Sequence, residues 1–427
     1  GRRRGRSRGW GPDSGNPSEV DRGRQPPGPP CGAIVPRRAA GRKRPRGGYA
    51  AAMGRPVAVL SCRLPLVLCA CPAAQDTRYY PGAWGDWETV EPPRVGMDAV
   101  RLAAAVAFAE RHYDPGGGFD PTNEPYGDRI GPVKPPSGMN GLVVVGGRIA
   151  AEWGDTRAVD MTFSVTKTYL STVAGLAVAD GVIRDVGDPV RDYVQDGAFD
   201  TAHNRPITWH QLLNQTSGWE GTLWGKPDWA DRYRGERRPP ESPGAHWRYN
   251  DVRVNALALA LLHVLREPLP QVLRRRVMDP IGCSPTWRWH GYDNSFVVID
   301  GLSMQSVSGG GHWGGGMFVC SRDQARFGLL MLRGGRWRDR QLVSAEWIAR
   351  AKTPTAQNPV YGYMNWFLNA DAEHKQFPSA PVGDVFFLGA GTNLVWLCPS
   401  KDMVVVVRWL ERRQVDSFVA KVLQAFA

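Results

Sequence analysis

Two β-rich hairpins stand at opposite ends of this chain, and each has a helix on its outer side. In the first, residues 141–145 and 148–153 flank Gly146-Gly147, a pair suited to a tight two-residue turn. In the second, Leu394-Val395-Trp396-Leu397-Cys398 and residues 403–409 flank the turn Pro399-Ser400-Lys401-Asp402. A helical pattern from Met97-Asp98 to about His112 precedes the first hairpin, and one from Val415 to about Phe426 follows the second. This arrangement predicts an α+β fold in which both chain ends build one antiparallel sheet, flanked by N- and C-terminal helices. The intervening residues, about 182–300, then form an inserted, mainly helical lobe. A ligand pocket is expected between sheet and lobe.

The charge is unevenly spread. The chain carries a formal +12, but residues 1–50 alone hold 13 Arg and Lys against 3 Asp and Glu, leaving about +2 for the other 377 residues. Residues 1–52 are rich in Gly, Pro and Arg without apolar periodicity, and are read as a disordered basic extension. The alternative, an arm for nucleic acid, is the weaker reading, because Met53 opens what resembles a signal peptide over 53–75: Arg55, an apolar run, then small residues before Gln75. The folded domain is then 76–427, with no nucleic-acid partner and a periplasmic or secreted location. Cys71 is a candidate lipid anchor. Of seven cysteines only Cys283, Cys320 and Cys398 fall in the mature part. No zinc spacing occurs, so no metal is expected. Cys320 and Cys398 either pair or remain buried thiols.

Ser164 and Lys167 form the only Ser-x-x-Lys in the chain. On a helix this spacing places both side chains on one face. A serine needs a neighbouring group to take its proton, and a lysine held beside it is one candidate. Phe163, Leu170, Val173 and Leu176 provide a face to bury, and Gly181 ends the helix. By itself such a motif is also compatible with an ordinary helix start. Tyr249 lies in the turn before a helix that begins near Val252. The exposed amides there favour negative charge, so a tyrosine can serve as a base. Residues 207–213 open with a capping box, Thr208 with Gln211. The glycine-rich run 308–316 lacks the spacing of a phosphate loop and suits close backbone packing behind the nucleophile. His312 within it is a candidate substrate contact.

Taken in order, residues 163–167, 207–219, 243–251, 314–328 and 389–399 resemble the serine β-lactamase and penicillin-binding-protein superfamily. The resemblance is to its class C-like branch, which also holds family VIII carboxylesterases, D-amino-acid peptidases and 6-aminohexanoate-dimer hydrolases. It implies a β-lactamase/DD-peptidase-like fold and needs no cofactor. It further implies Ser164 as nucleophile, Lys167 and Tyr249 sharing the proton transfers, and the N–H groups of Ser164 and Ala390 as oxyanion hole. Two departures stand out. The family's Y-x-N reads Tyr249-Asn250-Asp251 here, so either Asp251 fills the third place or Asn250 supplies the amide. The family's K-T-G or H-x-G reads Phe387-Leu388-Gly389: the glycine is kept and the cation is lost. The expected substrate is therefore a small ester or amide, contacted by Asn250, Asp251, His312 and Gly389. A β-lactamase or D-Ala carboxypeptidase, and a penicillin-recognising sensor without turnover, are the alternatives.

Overall fold

The computed structural model describes residues 77–116, 128–231, 241–311 and 313–426. The expectations for 1–52, for 53–75 with Cys71, and for His312 fall outside the described residues.

The two chain ends do meet in one sheet. Six antiparallel strands run in the order Phe367–Leu368, Val385–Gly389, Asn393–Cys398, Met403–Arg408, Asn140–Val145, Arg148–Trp153. The central pairing joins the first hairpin to the second, with Val143 opposite Val405. Gly146 and Gly147 both take positive φ, +60° and +84°, as a two-residue hairpin turn of matching twist requires.

Alternation along the strands divides the core. Leu142, Val144, Val404 and Val406 pack on the side of the helices Thr166–Ala179 and Ser321–Leu332. Val143, Val145, Val405 and Val407 pack on the side of the terminal helices Ala99–Arg111 and Val415–Gln424. With both faces covered, the middle of each row is apolar, and the buried polar residues stand at the strand ends with partners, as Asn140 with Ser321 and Arg408 with Gln324. This explains the unbroken run Val404-Val405-Val406-Val407, all 0% exposed.

The lobe contains the helices Trp209–Leu213, Asp251–Leu265 and Leu269–Leu273. The expected capping box is formed: Thr208 Oγ1 accepts from the Gln211 amide, and Gln211 Oε1 accepts from the Thr208 amide. The reading of 182–300 as mainly helical needs one correction. Arg288–Ile299 is a strand that pairs with Leu302–Val307. Its signal was the Asp300-Gly301 turn, with φ of +54° and +79°, beside the β-prone Phe296-Val297-Val298-Ile299. These strands extend a second sheet, ordered Asp160–Met161, Gly316–Val319, Arg288–Ile299, Leu302–Val307. That sheet carries the glycine-rich run up to the 163–167 turn. Cys283, Cys320 and Cys398 are free thiols, so the Cys320–Cys398 pairing is not formed.

Candidate active site

Ser164 lies just ahead of the helix expected to carry it. Phe163–Val165 is a single 3-10 turn, and the α-helix begins at Thr166. Phe163 enters that turn at φ +47°, a left-handed conformation costly for a bulky side chain. The surroundings hold it there. Its ring meets Trp409 edge-on at 6.1 Å, and the Thr162 amide donates to the Met317 carbonyl. The turn lifts Ser164 to a half-buried position, while Lys167 in the following helical turn is completely buried. Lys167 Nζ donates to Ser164 Oγ at 2.8 Å. The predicted pair is therefore together.

Lys167 has further partners. Its Nζ donates to the Gly309 carbonyl at 3.3 Å and forms an ion pair with Asp251 Oδ1 at 2.6 Å. It also stands 4.9 Å from the centre of the Tyr249 ring. The 249–251 triplet is thereby settled. Asn250 is 0% exposed and caps the helix Asp251–Leu265: its Oδ1 accepts from the Arg253 amide and its Nδ2 donates to the Asp228 carbonyl. Its backbone N–H goes to Gln215 Oε1. Asn250 is thus spent on the turn and does not face a ligand, which corrects its reading as a substrate contact. Asp251 faces the lysine instead.

The glycines are placed by contact. A methyl group on Gly310 would sit 2.2 Å from the Phe163 carbonyl oxygen, and one on Gly311 would sit 1.7 Å from Asp251 Oδ2. Hydrogen at these positions lets the loop close on the Ser164 turn and leaves space for the carboxylate. The strand end approaches from the other side: a methyl on Gly389 would lie 2.3 Å from the Thr162 carbonyl oxygen and 3.2 Å from the Ser164 nitrogen. Ala390 follows directly, in the turn Ala390–Thr392. Phe387, at the place of the lost cation, is fully buried against Trp366, ring centres 5.0 Å apart. Arg248 and Arg253, flanking the Tyr249 turn, are ion-paired to Glu241 and Asp228.

Three groups escaped the sequence reading. Asn365 donates from its side-chain amide to the carbonyls of Ser164 and Leu388. Asn255 Oδ1 accepts from the Gly309 amide and so positions the carbonyl facing Lys167. Tyr361 accepts from the Asn365 amide and packs edge-on against Trp247, which with Tyr249 makes an aromatic wall. No periodicity marks such loop residues; only the fold brings them in. Burial pushes the phenols of Tyr292 and Tyr361 well up, so both are neutral beside the lysine.

A separate cleft of about 620 Å³ lies between the lobe and residues 350–363, lined in part by Asp185, His210, Asn214, Arg350 and Tyr363. His210 is hydrogen-bonded there to Tyr363 Oη at 2.7 Å and to Asn214 at 3.0 Å. The cleft includes neither Ser164 nor Lys167. The chemistry of the Ser164 turn outweighs its size.

Solved structures share this fold. A putative β-lactamase from Bacteroides dorei DSM 17855 superposes with a TM-score of 0.54 at 14% identity, over 77% of this chain and 99% of that one. A penicillin-binding-protein homologue from Caulobacter crescentus gives 0.53 at 14% identity, over 78% and 99%. EstCE1, a hydrolase with promiscuous acyltransferase activity, gives 0.52 at 17% identity, over 77% and 98%. At these identities the likeness is one of fold. Residues 137–409 match the Beta-lactamase family model, so this chain belongs to the Beta-lactamase family.

Proposed function

We propose that this chain is an exported serine acyl-hydrolase that cleaves uncharged esters or amides through an acyl-enzyme on Ser164. The observation that carries this reading is the 2.8 Å contact between Ser164 Oγ and the fully buried Lys167 Nζ, at a turn closed by the Gly389 strand end. Ser164 Oγ attacks the carbonyl carbon. Lys167 and Tyr249 share the proton transfers, and water then cleaves the ester bond to Ser164. The N–H groups of Ser164 and Ala390 receive the developing oxyanion, a contribution of roughly 10²–10³ in rate per donor in comparable enzymes.

The preference for uncharged substrates rests on two features. Phe387 places an aromatic ring where the family has its cation, and Asp251 neutralises Lys167. A substrate carboxylate finds a site without net positive charge there. The leader-like run 53–75 supports export to the periplasm or medium.

The test is steady-state hydrolysis of p-nitrophenyl acetate, p-nitrophenyl butyrate and nitrocefin by the protein and its Ser164→Ala variant. Ester turnover lost in the variant, with little nitrocefin cleavage, supports the reading. Rapid nitrocefin cleavage would make it a β-lactamase. A burst without turnover would make it a sensor, and equal turnover in the variant would discard Ser164.

A further inference from the structure

We propose that the cleft between the lobe and residues 350–363 is a second binding site, for a small zwitterion with an apolar body such as a free amino acid: Arg350 takes its carboxylate and Asp185 its ammonium. The site is separate from the Ser164 turn and does not depend on the acyl-hydrolase reading.

The cleft holds opposite charges that do not meet. Arg350 stands in the last turn of the helix Ala345–Ala351, and Asp185 in the loop after the helix Thr166–Ala179. Both line the same space of about 620 Å³, a size usual for small-molecule sites. Among the described residues the Arg350 guanidinium has neither an ion-pair nor a hydrogen-bond partner. The Asp185 carboxylate has no ion pair either; its Oδ1 accepts the Gly187 backbone N–H at 2.8 Å. A plain anion in the cleft would meet the Asp185 charge, and a plain cation the Arg350 charge. A ligand that carries both charges satisfies both residues. Val186, Pro354 and Ala356 add apolar surface to the lining for the body of such a ligand.

A chain of hydrogen bonds supplies one further donor. Thr216 donates its backbone N–H and its hydroxyl to Asn214 Oδ1, at 3.2 and 2.6 Å. This turns Asn214 Nδ2 towards His210 Nε2, at 3.0 Å, so that ring nitrogen accepts. The imidazole is then neutral with its proton on Nδ1, which donates to Tyr363 Oη at 2.7 Å. Burial and the Arg350 charge both favour the neutral ring. The Tyr363 oxygen therefore accepts from the histidine and keeps its own proton to donate. Burial pushes that phenol up to about 12, and the charges of Arg350 and Asp185 both act on it, in opposite senses. Guanidinium, carboxylate and phenol thus border one cleft. A carboxylate there receives a charge-assisted contact from Arg350 together with the Tyr363 O–H.

The test is isothermal titration calorimetry of the full chain with L-leucine, D-leucine and N-acetyl-L-leucine, which lacks the ammonium. Wild type is compared with Arg350→Gln, Asp185→Asn and Ser164→Ala. Arg350 and Asp185 are exposed, and asparagine keeps an acceptor for the Gly187 N–H, so both cleft variants should fold and hydrolyse p-nitrophenyl acetate as wild type does. At least one leucine enantiomer should saturate a single site, equally in wild type and Ser164→Ala. Its Kd should rise about tenfold or more in Arg350→Gln and in Asp185→Asn, the loss of one hydrogen bond to a charged group in each case. N-acetyl-L-leucine should bind wild type less tightly than L-leucine by a similar factor. No saturable heat with either enantiomer would overturn the proposal, as would an affinity that neither cleft substitution changes. Equal affinity for N-acetyl-L-leucine would replace the zwitterion by a simple anion, and loss of binding in Ser164→Ala would move the ligand to the Ser164 turn. These titrations need no turnover, so an absence of Ser164-dependent hydrolysis would count against the acyl-hydrolase reading alone.

Discussion

Asn365 joins Ser164 to Leu388: its side-chain Nδ2 donates to the carbonyl oxygens of both, the second at 2.7 Å. One amide thus clamps the Ser164 turn to the strand that ends at Gly389, just before Ala390, and so sets the spacing of the two proposed oxyanion donors. Replacing Asn365 by Ala leaves two half-buried carbonyls without that donor, at about 1 kcal/mol each, the low end of the range for an unmet buried group. The expected outcome is a lower urea midpoint together with a fall in kcat that exceeds any change in KM. Urea titration and ester kinetics on the same preparation check both.

Gly389→Ala is expected to act mainly on catalysis. The added methyl would sit 2.3 Å from the Thr162 carbonyl oxygen, so the strand end must retreat from the Ser164 amide. Loss of one aligned oxyanion donor predicts a drop of about 10²–10³ in kcat. Unchanged ester turnover in a folded Gly389→Ala protein would remove this strand from the catalytic site.

Restoring the lost cation is expected to fail. Phe387 is completely buried, with Trp366 and Phe327 around it. Phe387→Lys therefore removes aromatic packing and buries a charge, a loss of at least about 3 kcal/mol. Thermal denaturation should show the destabilisation, and nitrocefin turnover should not rise.

One carboxyl outside the site predicts a pH dependence of stability. Burial pushes Asp384 up to about 6, against the opposing pull of the Trp396 indole N–H that donates to it. The folded state therefore binds the proton more tightly than the unfolded chain. The associated stability is present below the ordinary carboxyl range and is lost as pH rises through about 6. Asp384→Asn should raise Tm at pH 7 and leave it unchanged near pH 3.5, where both side chains are neutral, as scanning calorimetry across this range would show.

Much of the fold was legible because its signals are local. The Gly146-Gly147 turn, the capping box at Thr208 and the apolar rows of the terminal hairpins each specify structure over a few residues. The pairing of Ser164 with Lys167 belongs to the same class, since a single 3-10 turn running into the helix brings them together over three residues. The strand Arg288–Ile299 was missed because a polar stretch, His290 to Ser295, interrupts its pattern. The choice between Asn250 and Asp251 stayed open because both are adjacent and polar. It was resolved by which one the Arg253 amide engages as helix cap and which one meets the lysine.

The sequence by itself thus determined the sheet built from both chain ends, the capping box at Thr208 and the closeness of Ser164 and Lys167, because hydrophobic period, turn chemistry and helical spacing are short-range properties. Only the tertiary structure decided what surrounds that pair: Gly309 from 142 residues away, Asn365 from 201 residues away, and Asp251 in place of Asn250. Those contacts form between segments without a shared local pattern. Their energy comes from burying polar groups that must find partners once water is excluded, and that condition exists only in the folded chain.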